Sequence, residues 1–376
     1  MNILILHGSS DLYGASKILL VIVAILKKNG HTPIVVLSEE GPLSEKLVEA
    51  KVEVIFVHLG ILRRKYKSIP GILNRLVVLQ KAYKAIKVLI REKNIDILYS
   101  NTTAVLVGAF VARNCHIKHI WHVHEIIEKP RLLYFLLGHL LNKYSDKVIV
   151  VSAAVKNHWS RYVADDKLKL IYNGIDYFPF LHSADLLRNE LHPDNNCIII
   201  GMIGRVHFWK GQDYFLQIAG ILSKKYNNLL FVMVGDAFPG YEYLYETLNF
   251  IKKEENIAQL VYDLGYRTDI PSLLKGFDIF VLPSQLADPF PTVVLEAMAS
   301  SKPVVATLQG GAVEMIENNR SGILIPINEP GKAALMMEKL IESKELRQKM
   351  GESGRKRVLT HFSKEAFENS IINLFR

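Results

Sequence analysis

Short apolar runs, many of them β-branched, recur along the chain with segments of helical length between them. In the first half they fall at residues 2–6, 33–37, 52–57, 95–99, 119–124, 147–151 and 168–172. Runs this apolar predict strands covered on both faces, and so a parallel sheet with helices on each side. Residues 17–28, 72–92 and 153–162 predict helices, the last with Ser152 as its N-cap. The alternation fades over 178–196, where Pro179, Pro193 and the polar run Asp194-Asn195-Asn196 mark a crossover. It restarts at 197–203 and continues at 230–234, 260–264, 278–282, 303–306 and 323–325, with helices over 212–225, 242–255 and 292–300. Residues 344–376 read as helical with a break near His361. Strand and helix alternating in this way predict two α/β domains in tandem, each Rossmann-like. Such sheets bind ligands at the carboxyl ends of their strands, so the residues just after each strand carry the functional reading.

Composition narrows the classes. The 376 residues suffice for two or three domains, and 49% hydrophobic with 22% charged residues excludes global disorder. Cys115 and Cys197 alone can build neither a disulfide framework nor a CxxC metal knuckle, which fits a reducing cytoplasm. The opening Met1-Asn2-Ile3-Leu4-Ile5-Leu6 lacks the basic flank and cleavage site of a signal peptide. No uncharged apolar run reaches the roughly 18 residues of a membrane span.

Charge is uneven. Residues 1–180 hold 25 Lys and Arg against 14 Asp and Glu, a net of +11, and the remainder 21 against 23, a net of −2, so the overall +9 is carried by the first half. Between 61 and 93 ten cations, among them Arg63, Arg64, Lys65 and Lys67, face Glu92 alone. Such a stretch suits phosphates, anionic headgroups or nucleic acid, or is simply a solvated helix face. No nucleic-acid module accompanies it.

Candidate chemistry sits after the strands. Gly204-Arg205-Val206-His207-Phe208-Trp209-Lys210-Gly211 follows the first strand of the second domain and opens a helix. Arg205 can grip phosphate oxygens bidentately, Lys210 adds a point charge, and the helix start adds a positive dipole end, which together suit a diphosphate. Asp288-Pro289-Phe290-Pro291-Thr292-Val293-Val294-Leu295-Glu296 follows a later strand. Its two acids can accept bonds from sugar or ribose hydroxyls, and amides near Thr292 can take phosphate. Taken singly, each motif is as ordinary as a surface loop. In the first domain Trp121-His122-Val123-His124-Glu125 ends a strand, and alternation puts His122 and His124 on one face. A metal pair there lacks an obvious third ligand, and a structural histidine is the plain alternative.

The motifs taken in order resemble the family 4 glycosyltransferases, retaining enzymes of GT-B fold that use nucleotide-sugar donors. The matching stretches are Gly204-Arg205 with Lys210-Gly211, Gly265-Tyr266-Arg267 with Ile270-Pro271, Asp288 with Glu296-Ala297-Met298-Ala299, and Gly310-Gly311 with Glu314. Asn173-Gly174-Ile175-Asp176 looks like the domain junction. The resemblance spans nearly the whole chain. It implies two Rossmann-like domains whose parallel sheets face across a cleft. Residues 1–180 would form an N-terminal, acceptor-side domain and 181–361 a C-terminal, nucleotide-sugar-binding domain, with a final helix at about 362–376 packing back on the first.

Carried over by position, Arg205 and Lys210 hold the diphosphate, Glu296 the ribose and Asp288 the donor sugar near its reacting carbon. Phe290, Pro291, Thr292 and Val293 line the donor loop, and the Arg267 loop lies along the base through its backbone. The loop at 8–16 looks like the family's glycine loop, with Gly14 toward the donor and Ser10, Asp11 and Tyr13 on the acceptor side together with His122. His124 approaches the donor sugar, with His122 as the alternative. His124, Asp288, Arg205 and Lys210 are thus the candidate catalytic residues. Two departures bear on the donor sugar: Asp288 stands where the family has Glu, and Pro291, without an N–H, where it has Gly.

The resemblance also implies transfer without metal or cofactor, in line with the absence of any Asp-x-Asp. The expected acceptor is a lipid-diphosphate-linked glycan in bacterial O-antigen or capsule assembly. The expected location is cytoplasmic, on the inner face of an anionic membrane, with no nucleic-acid partner. The segment at 132–141, flanked by Lys129 and Arg131, is expected to be a buried core helix rather than an inserted one. A sugar-nucleotide epimerase of the same fold and a basic, non-catalytic membrane binder are the alternatives.

Overall fold

The computed structural model describes residues 1–61, 69–238 and 240–375. The chain divides into two compact units, Met1–Ile175 with the C-terminal segment from Glu365, and Asp176–Lys364.

The first unit runs β1 (Asn2–His7), α1 (Gly14–Lys28), β2 (Thr32–Leu37), α2 (Pro42–Glu49), β3 (Glu53–Phe56), α3 (Ile69–Glu92), β4 (Ile97–Asn101), α4 (Val107–Cys115), β5 (Lys118–Val123), α5 (Arg131–Tyr144), β6 (Lys147–Val150), α6 (Ala153–Trp159) and β7 (Leu168–Leu170). Its sheet has the order β3-β2-β1-β4-β5-β6-β7, and every neighbouring pair is parallel. Ile3, Leu4, Ile5 and Leu6 of β1 have no solvent exposure, as expected of a central strand with helices on both faces. Ser152 caps α6 by accepting the Val155 N–H at 3.1 Å.

The second unit runs α7 (Phe178–His182), α8 (Leu187–Leu191), β8 (Ile198–Ile203), α9 (Gln212–Ser223), β9 (Leu229–Val234), α10 (Tyr243–Glu254), β10 (Val261–Asp263), α11 (Ile270–Gly276), β11 (Ile279–Leu282), α12 (Thr292–Ala299), β12 (Val304–Thr307), α13 (Ala312–Met315), β13 (Gly322–Ile325), α14 (Pro330–Glu342) and α15 (Lys344–His361). Its sheet, β10-β9-β8-β11-β12-β13, is also parallel.

Two boundaries differ from expectation. The first lies at 175/176 rather than 180/181, because α7 packs against α11 and α12 and so belongs with the second unit. The second lies at 364/365 rather than 361/362. From there α16 (Lys364–Ile372) packs on the first unit. Its Glu368 pairs with Lys28 at 2.7 Å, and Phe375 stacks near the buried Tyr99 with centroids 6.3 Å apart.

In both sheets the strand order reverses beside the first strand of the unit. The reversal lies between β1 and β4 in one sheet, and between β8 and β11 in the other. There the connections leave toward opposite faces and open a crevice beyond the strand ends.

Candidate active site

At the β8/β11 reversal three loops are stitched together through their backbones. Gly204 N–H donates to the Val234 carbonyl at 2.9 Å, Val206 N–H to that of Asp236 at 3.0 Å, and Gly235 N–H to that of Gly265 at 2.7 Å. The ends of β8, β9 and β10 therefore form one platform. The buried side chain of Gln212 donates to the Arg205 carbonyl at 2.9 Å and accepts the His207 N–H at 3.4 Å, which fixes the turn carrying Arg205. The Arg205 guanidinium lies over the Phe238 ring, 3.2 Å from its centroid.

Lys210 reaches from the β8 loop to the carboxylate of Asp288 in the loop after β11. Their side chains are 17% and 11% exposed, so little water replaces either partner if the other leaves. The backbone of Asp288 is held in turn, its carbonyl accepting the Gly311 N–H at 2.8 Å. Glu296 lies one turn further along α12 and is buried. Thr292 and Val293 occupy the first turn of α12, where helix amides have no carbonyl four residues back. Pro291 is the N-cap of this helix, a position that tolerates a missing N–H. Two cations and two carboxylates thus lie in the loops and helix start at this reversal, with Lys210 and Asp288 in direct contact, an arrangement of charges and acceptors chemically suited to phosphates and hydroxyls.

One donor-side expectation changes. The Phe290 ring is buried against Phe362, centroids 5.8 Å apart, and acts as packing beneath the loop. The Arg267 side chain is committed to Asp269 at 2.7 and 2.8 Å and to Glu190 at 3.0 and 3.1 Å. Those carboxylates, Asp269 first, hold its proton even more firmly than usual. The backbone of its loop is what remains to line a ligand.

At the β1/β4 reversal the strands end in polar residues placed side by side. His7 stands opposite Asn101, and Asn101 opposite His122. His124, half-buried, follows β5, and its Nε2 lies 2.9 Å from Asn101 Oδ1. Glu125 accepts the backbone N–H groups of His124 at 3.0 Å and Thr103 at 3.1 Å, which shapes the end of the strand. Burial pushes the His124 imidazole down to about 3, with His7 adding repulsion, and burial pushes His7 to about 4. Both rings are neutral at physiological pH.

The acceptor-side expectations are corrected in part. His122 has no exposure: its Nδ1 is 2.7 Å from the Tyr99 hydroxyl and its ring packs 4.0 Å from that of His124. It supports His124 from beneath, because His122 still lies within β5 and is fully covered. Ser10 is buried, with its hydroxyl on the Glu39 carbonyl and its own carbonyl accepting the Leu43 N–H at 3.0 Å, so it anchors the start of α2. Asp11 accepts from Ser9 Oγ at 2.8 Å, Tyr13 N–H at 3.2 Å and Ser16 Oγ at 3.3 Å, and organises the entry to α1. Tyr13 is the N-cap of α1 and Gly14, exposed, is its first residue. His7, Ser16, Asn101 and Gln212 were not singled out from sequence. The available signal was a polar residue directly at the end of an apolar run, as His7 after Ile3–Leu6 and Ser100-Asn101 after Ile97–Tyr99.

Two family descriptions cover most of the chain: Glycosyltransferase Family 4 matches residues 13–177 and Glycosyl transferases group 1 matches residues 183–357. An uncharacterised glycosyltransferase of Methanocaldococcus jannaschii is 30% identical over 78% of this chain and 76% of its own. The UDP-Gal:alpha-D-GlcNAc-diphosphoundecaprenol alpha-1,3-galactosyltransferase of Escherichia coli is 28% identical over 64% of this chain, and the match spans 65% of that relative's length. The crystal structure of Anabaena HepE in complex with UDP and glucose superposes with a TM-score of 0.86 at 25% identity, covering 99% of this chain and 98% of that one. With these matches, the two parallel α/β units are those of a glycosyltransferase of GT-B fold. The chain belongs to glycosyltransferase family 4.

Proposed function

We propose that this enzyme moves a glycosyl unit, with retention of anomeric configuration, from a nucleotide-diphosphate sugar to a lipid-diphosphate-linked glycan in bacterial surface-polysaccharide assembly. The observation that carries the donor is the convergence of Arg205, Lys210, Asp288 and Glu296 at the β8/β11 reversal. UDP and glucose are named with the Anabaena structure, and a UDP-sugar and a diphosphoundecaprenol acceptor with the E. coli relative, which supports this substrate class.

In the reaction the bond from the anomeric carbon to the diphosphate oxygen breaks and a bond to the acceptor oxygen forms. The acceptor proton leaves with the nucleoside diphosphate. Negative charge grows on the departing phosphate, and Arg205 with Lys210 offsets it, so no metal is required. Asp288 accepts from sugar hydroxyls, Glu296 from the ribose, and His124 from the donor sugar. The test is nucleotide release from a panel of donors with and without a lipid-diphosphate glycan. Acceptor-dependent release that survives a chelator is expected. Strict dependence on Mn²⁺ or Mg²⁺, or release of an altered free nucleotide sugar without acceptor, contradicts the proposal.

Membrane presentation of the acceptor is part of this reading. The segment at 132–141 is not a core helix throughout: Leu137, Gly138 and Leu141 are buried, whereas Leu132, Phe135 and Leu136 are 68%, 44% and 49% exposed. On α3, Leu73, Leu76 and Val77 are likewise exposed, followed by Lys81, Lys84, Lys87 and Arg91. Arg63, Arg64, Lys65 and Lys67 lie outside the described residues. Among the described residues no helix is long and apolar enough to cross a membrane. Exposed apolar triplets with cations beside them suit shallow docking, each Lys or Arg near anionic lipid adding about 1 kcal/mol. Flotation should show binding to anionic vesicles that weakens with salt and is lost on reversing Lys81, Lys84 and Lys87 to Glu. Equal, salt-independent binding to neutral vesicles would remove the electrostatic claim.

A further inference from the structure

The polar residues at the ends of β1, β4 and β5 form a hydrogen-bond chain whose direction is set from its far end. An ionised Asp11 can only accept, so Ser16 Oγ, 3.3 Å from Asp11 Oδ1, donates to it. Ser16 must then accept from His7 Nε2 at 3.0 Å, which places the His7 proton on Nε2. The bare Nδ1 of His7 accepts from Asn101 Nδ2 at 2.9 Å. The same Nδ2 faces the Ala15 carbonyl at 3.5 Å, a neighbour that suits an N–H and not an oxygen. The amide is therefore oriented from two sides. Its Oδ1 is left facing His124 Nε2 at 2.9 Å and has only lone pairs to offer.

We infer that Asn101 is a positioning residue that holds His124 as the neutral imidazole with its proton on Nε2, so that Nδ1 is presented as a hydrogen-bond acceptor. This rests on the reading that His124 meets the donor sugar, and it deepens that reading. The ring reads a sugar hydroxyl by accepting from it; it does not donate to the leaving phosphate as a cation. The surroundings keep it neutral. His7 and His122 are the nearest rings, Tyr99 is engaged by His122, and the carboxylate of Glu125 is turned to backbone N–H groups. Asp11 acts on the His7 ring, favouring its charged form against the effect of burial. Replacing the Asn101 amide by a carboxylate would let one side chain accept from both rings and so favour their charged forms.

Histidine-labelled, ligand-free protein should show His124 in the Nε2–H tautomer in long-range ¹H–¹⁵N spectra, without titration from about pH 8 to about pH 6. In Asn101→Asp the His124 signal should titrate within that window. Because the charged ring cannot accept, the acidic limb of the kcat profile should move to higher pH, and turnover below it should fall roughly tenfold. A wild-type ring protonated on Nδ1, or charged at neutral pH, overturns the inference, as does an Asn101→Asp variant with unchanged tautomer and titration. If that variant does not fold, the wild-type spectrum still decides. Unimpaired transfer by His124→Ala would instead overturn the donor contact, whatever the tautomer proves to be.

Discussion

Replacing Lys210 by alanine is expected to lower turnover by about 10²–10³-fold at saturating donor, the loss typical when a preorganised group aimed at developing charge is removed. The substitution does two things. It deletes a cation from the β8 loop, and it leaves Asp288, whose side chain is 11% exposed, without its ion-pair partner. A carboxylate stranded in that position costs stability and also repels the diphosphate. The two consequences separate in a double variant. Lys210→Ala with Asp288→Asn removes the stranded charge, so the melting temperature should recover toward wild type. Turnover should stay low, because nothing replaces the cation beside the leaving phosphate. Asp288→Asn alone keeps that cation and should hurt less than Lys210→Ala. Initial rates of nucleotide release and thermal melts on the three variants check this. Recovery of turnover in the double variant would show that Lys210 matters only as a structural partner of Asp288.

The strands were legible because they are covered on both faces, so their residues had to be continuously apolar. Ile198–Ile203 and Leu229–Val234 lie within a residue of expectation. Strand ends were less so: β4 runs on through Ser100 and Asn101, and these polar residues concealed two further positions of the strand. Short helices were missed where few turns are available to establish a period. Helix α2 begins at Pro42 directly after Gly41, and α13 is four residues long. Helix α14, at 13 residues, begins at Pro330, and its buried positions Ala333, Ala334 and Met337 give only a modest apolar contrast. For the site, residue types were readable from motifs but partners were not. Lys210 and Asp288 are 78 positions apart, and His7 and Asn101 are 94 apart. Only the register of parallel strands brings such pairs together. Nor does a residue's type tell which way it faces: Phe290 and His122 turn inward, and the polar Gln212 folds back to hold its own loop.

Gly211→Ala is expected to damage both stability and transfer far beyond what its size suggests. Gly211 has φ +79°, in the left-handed region that costs an L side chain about 1–2 kcal/mol. A Cβ there would also lie 2.0 Å from the carbonyl oxygen of Pro283. Pro283 belongs to the loop after β11, so its oxygen cannot step aside unless the whole loop moves. Glycine at this position is what lets the β8 and β11 loops touch, and that contact brings Lys210 onto Asp288. Gly30 supplies the control: its φ is +75°, yet nothing lies within 4 Å of its would-be Cβ. Gly30→Ala therefore carries only the conformational term, about 1 kcal/mol, and should leave turnover unchanged. Gly211→Ala adds the collision and should cost roughly 3 kcal/mol or more by denaturant unfolding, with turnover down at least about tenfold because the cation is displaced. The difference between the two variants measures the contact itself, since the backbone penalty is common to both. If Gly211→Ala proves as mild as Gly30→Ala, the two loops can separate freely, and the close approach at the β8/β11 reversal is not what positions Lys210.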